Sequence, residues 1–93
     1  MKTYFVYIVS NKNRTTFYIG VTNDLERRAY EHANHQGSVF TQKYKLTDLL
    51  FYEESQDINE AIAREKQLKQ WNRKWKIDLI KTLNPDMKKL ELF

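Results

Sequence analysis

Two runs near the start of the chain, TYFVYIV at residues 3 to 9 and TTFYIGV at residues 15 to 21, are β-branched and aromatic almost throughout. The polar segment SNKNR separates them. Such residues fit a pleated surface, and the short polar interruption closes them into a β-hairpin. A chain that begins with a hairpin must cover it, because two strands alone are marginal in water. In the second run Phe17 and Ile19 point to one face, and Tyr18 and Gly20 to the other. A glycine inside a strand leaves room for something to approach the backbone.

The cover is written further along. Asn23, Asp24, Leu25 and Glu26 form a helix start, with Asn23 as the expected cap and Glu26 placed to close a capping box. Leu25, Arg28, Ala29 and His32 then fall on one face at i, i+3, i+4 and i+7, whereas Arg27 points elsewhere. Residues 33 to 45 lack periodicity, carry Gly37 and read as a loop. The run TDLLFYE at 47 to 53 reads as a third strand. Asp57 and Glu60 open a second helix with Ile58, Ala61, Ile62 and Leu68 on its inward stripe. A third helix is expected from about Arg73 to Thr82, with Trp75, Leu79 and Leu83 inward, ended by Asn84-Pro85. The order ββαβαα predicts an α+β fold, a three-stranded mostly antiparallel sheet flanked by helices. At 93 residues the chain is expected to form a single domain, 1–93.

Glu65 falls near the centre of the second helix's apolar stripe. A carboxylate there must be paired, bound to metal or neutralised, since a lone buried charge costs several kcal/mol. An ion pair with Arg28 is one solution and a metal ion is another. With Tyr18, Arg28 and His32, four polar residues are thus aimed inward or at one sheet face. Tyr7 is placed to meet Tyr18 across the hairpin. Each has an ordinary structural reading, but a tyrosine pair, an arginine and a carboxylate together suit phosphodiester cleavage.

Composition narrows the chemistry. The chain has no cysteine, which excludes disulfides, thiolate metal sites and cysteine nucleophiles. The net charge of +4 is mild, but the stretch from Arg64 to Lys76 holds Arg64, Lys66, Lys69, Arg73, Lys74 and Lys76 against Glu65 alone, with Trp71 and Trp75 interleaved. That pattern fits either a nucleic-acid surface or a solvated helical face with core tryptophans. The first apolar run is too short for a signal peptide or a membrane span, so a cytoplasmic protein without membrane association is expected.

The motifs VYI at 6 to 8, YIG at 18 to 20, LERRAYEH at 25 to 32, AIAREKQLKQW at 61 to 71 and LIKTLNP at 79 to 85 resemble those of the GIY-YIG nuclease domain. The likeness is to the small stand-alone bacterial group, itself similar to the N-terminal nuclease domain of the excision-repair incision protein. It covers nearly the whole chain. Phe5-Val6-Tyr7 stands where the family has Gly-Ile-Tyr, keeping the tyrosine and losing the glycine. The resemblance implies an endonuclease acting on DNA with low sequence specificity, in repair or recombination, and helped by one Mg²⁺ or Mn²⁺ ion. It implies a catalytic set of Tyr7, Tyr18, Arg28, His32, Glu65 and Asn84, with Glu65 holding the metal. Gly20, Arg27, Lys43, Lys69, Arg73 and Lys74 are the expected substrate-binding residues. Tyr7 or His32 serves as general base, and a protein partner for targeting is expected. The other function class is an inert nucleic-acid-binding module of the same fold.

Overall fold

The computed structural model describes residues 2–92. Strands β1 (Tyr4–Ser10) and β2 (Phe17–Thr22) form the hairpin, and β3 (Asp48–Ser55) pairs with the other edge of β1. The sheet order is β2-β1-β3 with both pairings antiparallel, so β1 is central and β2 has a free edge. Helices α1 (Leu25–Ala33), α2 (Val39–Lys43), α3 (Ile58–Gln70) and α4 (Arg73–Leu83) surround it. The α+β class and the succession of three strands and three longer helices are as expected. The segment predicted to be a loop carries the additional five-residue helix α2, capped by Ser38, whose hydroxyl accepts from Thr41 N.

Strand alternation divides the sheet into two apolar faces. Val6, Ile8, Ile19, Leu50 and Phe51 meet Ala61 and Leu68 of α3 and Ile80 of α4 on one side. Tyr7, Val9 and Leu49 meet Leu25 of α1 and Leu46 on the other. A β-bulge opposite Ile8 and Val9 explains how neighbouring Leu50 and Phe51 serve the same face: Ile8 pairs with Phe51 and Val9 with Leu49, leaving Leu50 as the extra residue. Each large aliphatic side chain buried this way stabilises the fold by about 1.5–3 kcal/mol.

Three local expectations are corrected. Asp24, not Asn23, caps α1 and accepts from Arg27 N at 3.1 Å, because the Thr22 hydroxyl accepts from Asp24 N and so holds Asp24 at the turn. In α3 only Ala61 and Leu68 are fully buried, while Ile58 and Ile62 flank the contact, each 37% exposed. In α4 the buried residue is Ile80; Trp75 and Leu83 lie largely in solvent. Trp75 instead packs edge-on against Trp71, with ring centroids 5.9 Å apart, so two competing stripes in α4 are resolved by the contact with Trp71. Among the described residues no helix is long and apolar enough to cross a membrane.

Candidate active site

Tyr7 stands on the central strand directly opposite Gly20. Its ring lies over that glycine: a Cβ built on Gly20 would fall 2.5 Å from Tyr7 Oη and 2.6 Å from Cζ. The space that the glycine leaves is therefore occupied by the Tyr7 ring, while Gly20 itself still lines the cavity. So placed, the Tyr7 hydroxyl lies 3.2 Å from His32 Nε2. His32 reaches it from the inward face of α1, where it is buried, as the helical spacing predicts.

Gly37 completes the seat of the imidazole, since a Cβ there would lie 2.5 Å from His32 Nδ1 and also against the Thr41 hydroxyl. Nδ1 is buried and makes no hydrogen bond. Nothing on that side fixes the tautomer, so Nε2 is free either to donate to Tyr7 or to accept from it. Burial lowers the His32 pKa from its ordinary value, and the Arg28 charge lowers it further. Burial, then the neighbouring Tyr18, pushes the Tyr7 hydroxyl up to about 12, although Arg28 acts against them. Histidine and tyrosine are thus both neutral near pH 7.

These residues line a cavity of about 380 Å³ together with Tyr18, Gly20, Arg28 and Glu65. Tyr7, Tyr18 and His32 belong to the α1 side of the sheet, while Glu65 comes from α3 on the opposite side. The two sides meet because β2 is an edge strand, and no further strand separates them there. This accounts for a carboxylate on an apolar stripe: Glu65 leaves the core over the free edge of β2. Its side chain keeps about 20% exposure, and its ion pair is with Lys69, at 3.6 Å. The alternative partner, Arg28, is bound instead to Glu31 at 2.6 Å and is half exposed.

Other expected site residues lie outside this cavity. Asn84 is buried beyond the end of α4, donating to the carbonyls of Leu50 at 3.0 Å and Lys88 at 2.6 Å and accepting from Lys88 N. It fastens the C-terminal segment to β3. Arg73 donates to the carbonyls of Thr15 and Arg14, clamping the hairpin turn, with its guanidinium over Phe17. Lys74 pairs with Asp78, and Arg27 with Glu31. Arg64 is held by Glu53. Much of the basic run from Arg64 to Lys76 is therefore internally paired rather than free for phosphate. Lys69 is the member of this run closest to the site, paired with Glu65 and touching the Tyr18 ring. Lys43 lies over Tyr44 on α2 and its flank.

Comparison with known proteins supplies the family. The GIY-YIG catalytic domain family matches residues 3–78. The chain belongs to the GIY-YIG family. It is 32% identical over 80 residues to a UPF0213 protein of Staphylococcus saprophyticus, covering 86% of this chain and 96% of that one. It is likewise 32% identical over 81 residues to a UPF0213 protein of Staphylococcus aureus, covering 87% and 98%. Among solved structures, the solution NMR structure of a UPF0213 protein from Bacillus halodurans is similar, with a TM-score of 0.58, 26% identity, and 90% and 88% of the two chains covered.

GIY-YIG domains are a nuclease family that generally uses a divalent cation. Among the described residues no group of three or more His, Asp or Glu side chains converges to hold one. The donor set nevertheless fits magnesium or manganese. Such hard ions keep several waters and take one or two carboxylates plus substrate phosphate, and Glu65 supplies one carboxylate in an open cavity. Sequence reasoning missed Gln36, Gly37 and Ser38, which also line this GIY-YIG cavity. Its only trace of them was a glycine in an aperiodic segment.

Proposed function

We propose that the protein is a metal-dependent endonuclease that hydrolyses phosphodiester bonds in DNA with little sequence specificity, in repair or recombination. The observation that carries this reading is the meeting of Tyr7, Tyr18, Arg28, His32 and Glu65 in one cavity, drawn from both faces of the sheet. A module that only binds nucleic acid has no use for a carboxylate there, because it repels phosphate.

Glu65 would hold the cation, which when bound neutralises charge on the scissile phosphate and makes its water more acidic. Arg28 presents a planar fork of donors to the phosphate oxygens as negative charge grows on them. Tyr18 orients the phosphate at the rim. With its hydroxyl raised to about 12, Tyr7 is protonated at neutral pH and is a poor free base. The proton lost by the attacking water passes to Tyr7 Oη as the Tyr7 proton moves along the 3.2 Å contact to His32 Nε2. His32 is the final acceptor, and the leaving oxygen takes its proton from solvent.

Glu65→Gln tests the reading. Its partner Lys69 is exposed, so the substitution should change stability by less than about 1 kcal/mol. Cleavage of labelled DNA should collapse to background, while DNA binding persists or tightens. Mn²⁺ should raise the melting temperature of the wild type and not of the variant. A Glu65→Gln protein that cleaves normally, or a wild type whose melting and cleavage ignore metal, refutes the proposal.

A further inference from the structure

A row of aromatic rings leads away from the cavity. Tyr18, at its rim, faces Phe40 of α2 with ring centroids 6.1 Å apart, and Phe40 faces Tyr44 at 4.7 Å. Phe40 and Tyr44 are 44% and 45% exposed, an unusual outlay of aromatic surface for side chains that support no core. Phe40 and Tyr18 line one hollow with Lys69. Tyr44 lines the next, of about 330 Å³, with Lys12, Lys45 and Lys89. Among the described residues none of these last three lysines has a carboxylate within 4 Å, in contrast to Arg64, Lys69 and Lys74 of α3 and α4. The acid in that hollow, Asp48, is already bound by Arg14 at 2.8 Å and also feels the charge of Lys12, which leaves Lys45 and Lys89 uncompensated.

Exposed rings in series, followed by unpaired lysines, match the requirements of an unpaired nucleic-acid strand. Bases have flat faces to stack on the rings, and phosphates follow the cations. Duplex DNA keeps its bases stacked on one another and has nothing to offer the rings. We propose that α2 and its flank form a platform for unpaired DNA, on which a strand leaving the catalytic cavity stacks its bases against Phe40 and Tyr44 and sets its phosphates on Lys45 and Lys89. The substrate class is DNA that is single-stranded on that side of the cleavage point: a flap, a frayed end or a free strand. The binding surface stands by itself, and only its link to cleavage rests on the proposed function.

The test is fluorescence anisotropy in chelator, with one short labelled DNA strand used alone or annealed to its complement. Wild type should prefer the single strand. Phe40→Ala/Tyr44→Ala should weaken single-strand binding by about 10- to 100-fold and duplex binding by less than about threefold. Tyr44→Trp, which keeps a stacking face, should bind as wild type does. Lys45→Glu/Lys89→Glu, which leaves the rings in place, should weaken single-strand binding and flatten its salt dependence. A thermal melt shows whether each variant is folded, and the lysine pair decides the matter if the aromatic pair is not. Equal losses for both DNA forms, no loss for either pair of substitutions, or a wild type that prefers duplex overturns the platform. A protein that behaves as expected in chelator and never cleaves with metal refutes the nuclease reading and leaves the platform standing.

Discussion

Gly20→Ala isolates the contact on which the candidate site depends. Gly20 does not adopt a positive φ, so alanine brings no backbone strain and the whole effect is steric. The added Cβ falls 2.5 Å from Tyr7 Oη, whereas ordinary contact begins near 3.4 Å, so the hydroxyl end of the ring must retreat by about 0.9 Å. Tyr7 has little space to do so, being 5% exposed on the central strand and bonded to His32. Overpacking of this kind costs about 1–3 kcal/mol, partly offset by about 0.5–1 kcal/mol from replacing a strand glycine. The melting temperature should therefore fall by several degrees. A displacement near 1 Å at a reacting group lowers turnover by about 100-fold.

Single-turnover cleavage, measured beside DNA binding, separates two uses of the glycine. If Gly20 serves Tyr7, the cleavage step slows and binding holds. If it serves the phosphate, binding weakens and the cleavage step holds. In a Tyr7→Ala background the stability cost of Gly20→Ala should disappear, since the clashing atoms are gone. An unchanged melting temperature and cleavage rate in Gly20→Ala, or a cost that persists without the Tyr7 ring, refutes the reasoning.

The pH–rate profile should separate the two candidate bases: with His32 as final acceptor and its pKa held down by burial, cleavage should fall only below about pH 6.5 and stay level above it. A rate that climbs tenfold per pH unit through the alkaline range, towards the Tyr7 value of about 12, assigns the role to tyrosinate instead. Asn84→Ala should destabilise by about 2–4 kcal/mol, because the Leu50 and Lys88 carbonyls both lose their donor. At a temperature where the variant is folded, its cleavage should stay within about threefold of wild type, and a folded but inactive Asn84→Ala protein places Asn84 in the chemistry.

How far the sequence could be read depended on whether one pattern competed with another. The hairpin was legible because alternation has a single solution: placing Tyr18 and Gly20 on one face puts Tyr7 there as well once the register is set. His32 and Glu65 were found the same way, as polar residues on otherwise apolar stripes. In α4 the pattern had two solutions, Trp75 with Leu79 and Leu83 or the stripe through Ile80, and only the tertiary contact with Trp71 chose between them. Residues 33 to 45 gave no periodic signal because a five-residue helix is shorter than two turns. The spacing of Phe40 and Tyr44, four apart, was the one clue to α2. At Gly20 the glycine announced that something approaches without saying what, and the structure brings the chain's own Tyr7 ring against it.

The two charges assigned to chemistry, Arg28 and Glu65, are each held by a residue of the same helix, Glu31 at i+3 and Lys69 at i+4. Both pairs are partly exposed to solvent, and exposed pairs of this spacing contribute only about 0–1 kcal/mol. That weakness matters for a site that must accept a phosphate and a cation. A buried pair between Arg28 and Glu65 would neutralise the cavity from within, and opening it to substrate would cost several kcal/mol. Two separate surface pairs keep the side chains near their working positions and release them at little cost. Arg28 can exchange Glu31 for a phosphate, and Lys69 can leave Glu65 for a strand that lies beside Tyr18. Binding of anion and cation then reinforce each other, because each relieves the charge that the other leaves unpaired. Under the proposed function, the cavity therefore favours metal and DNA bound together over either alone.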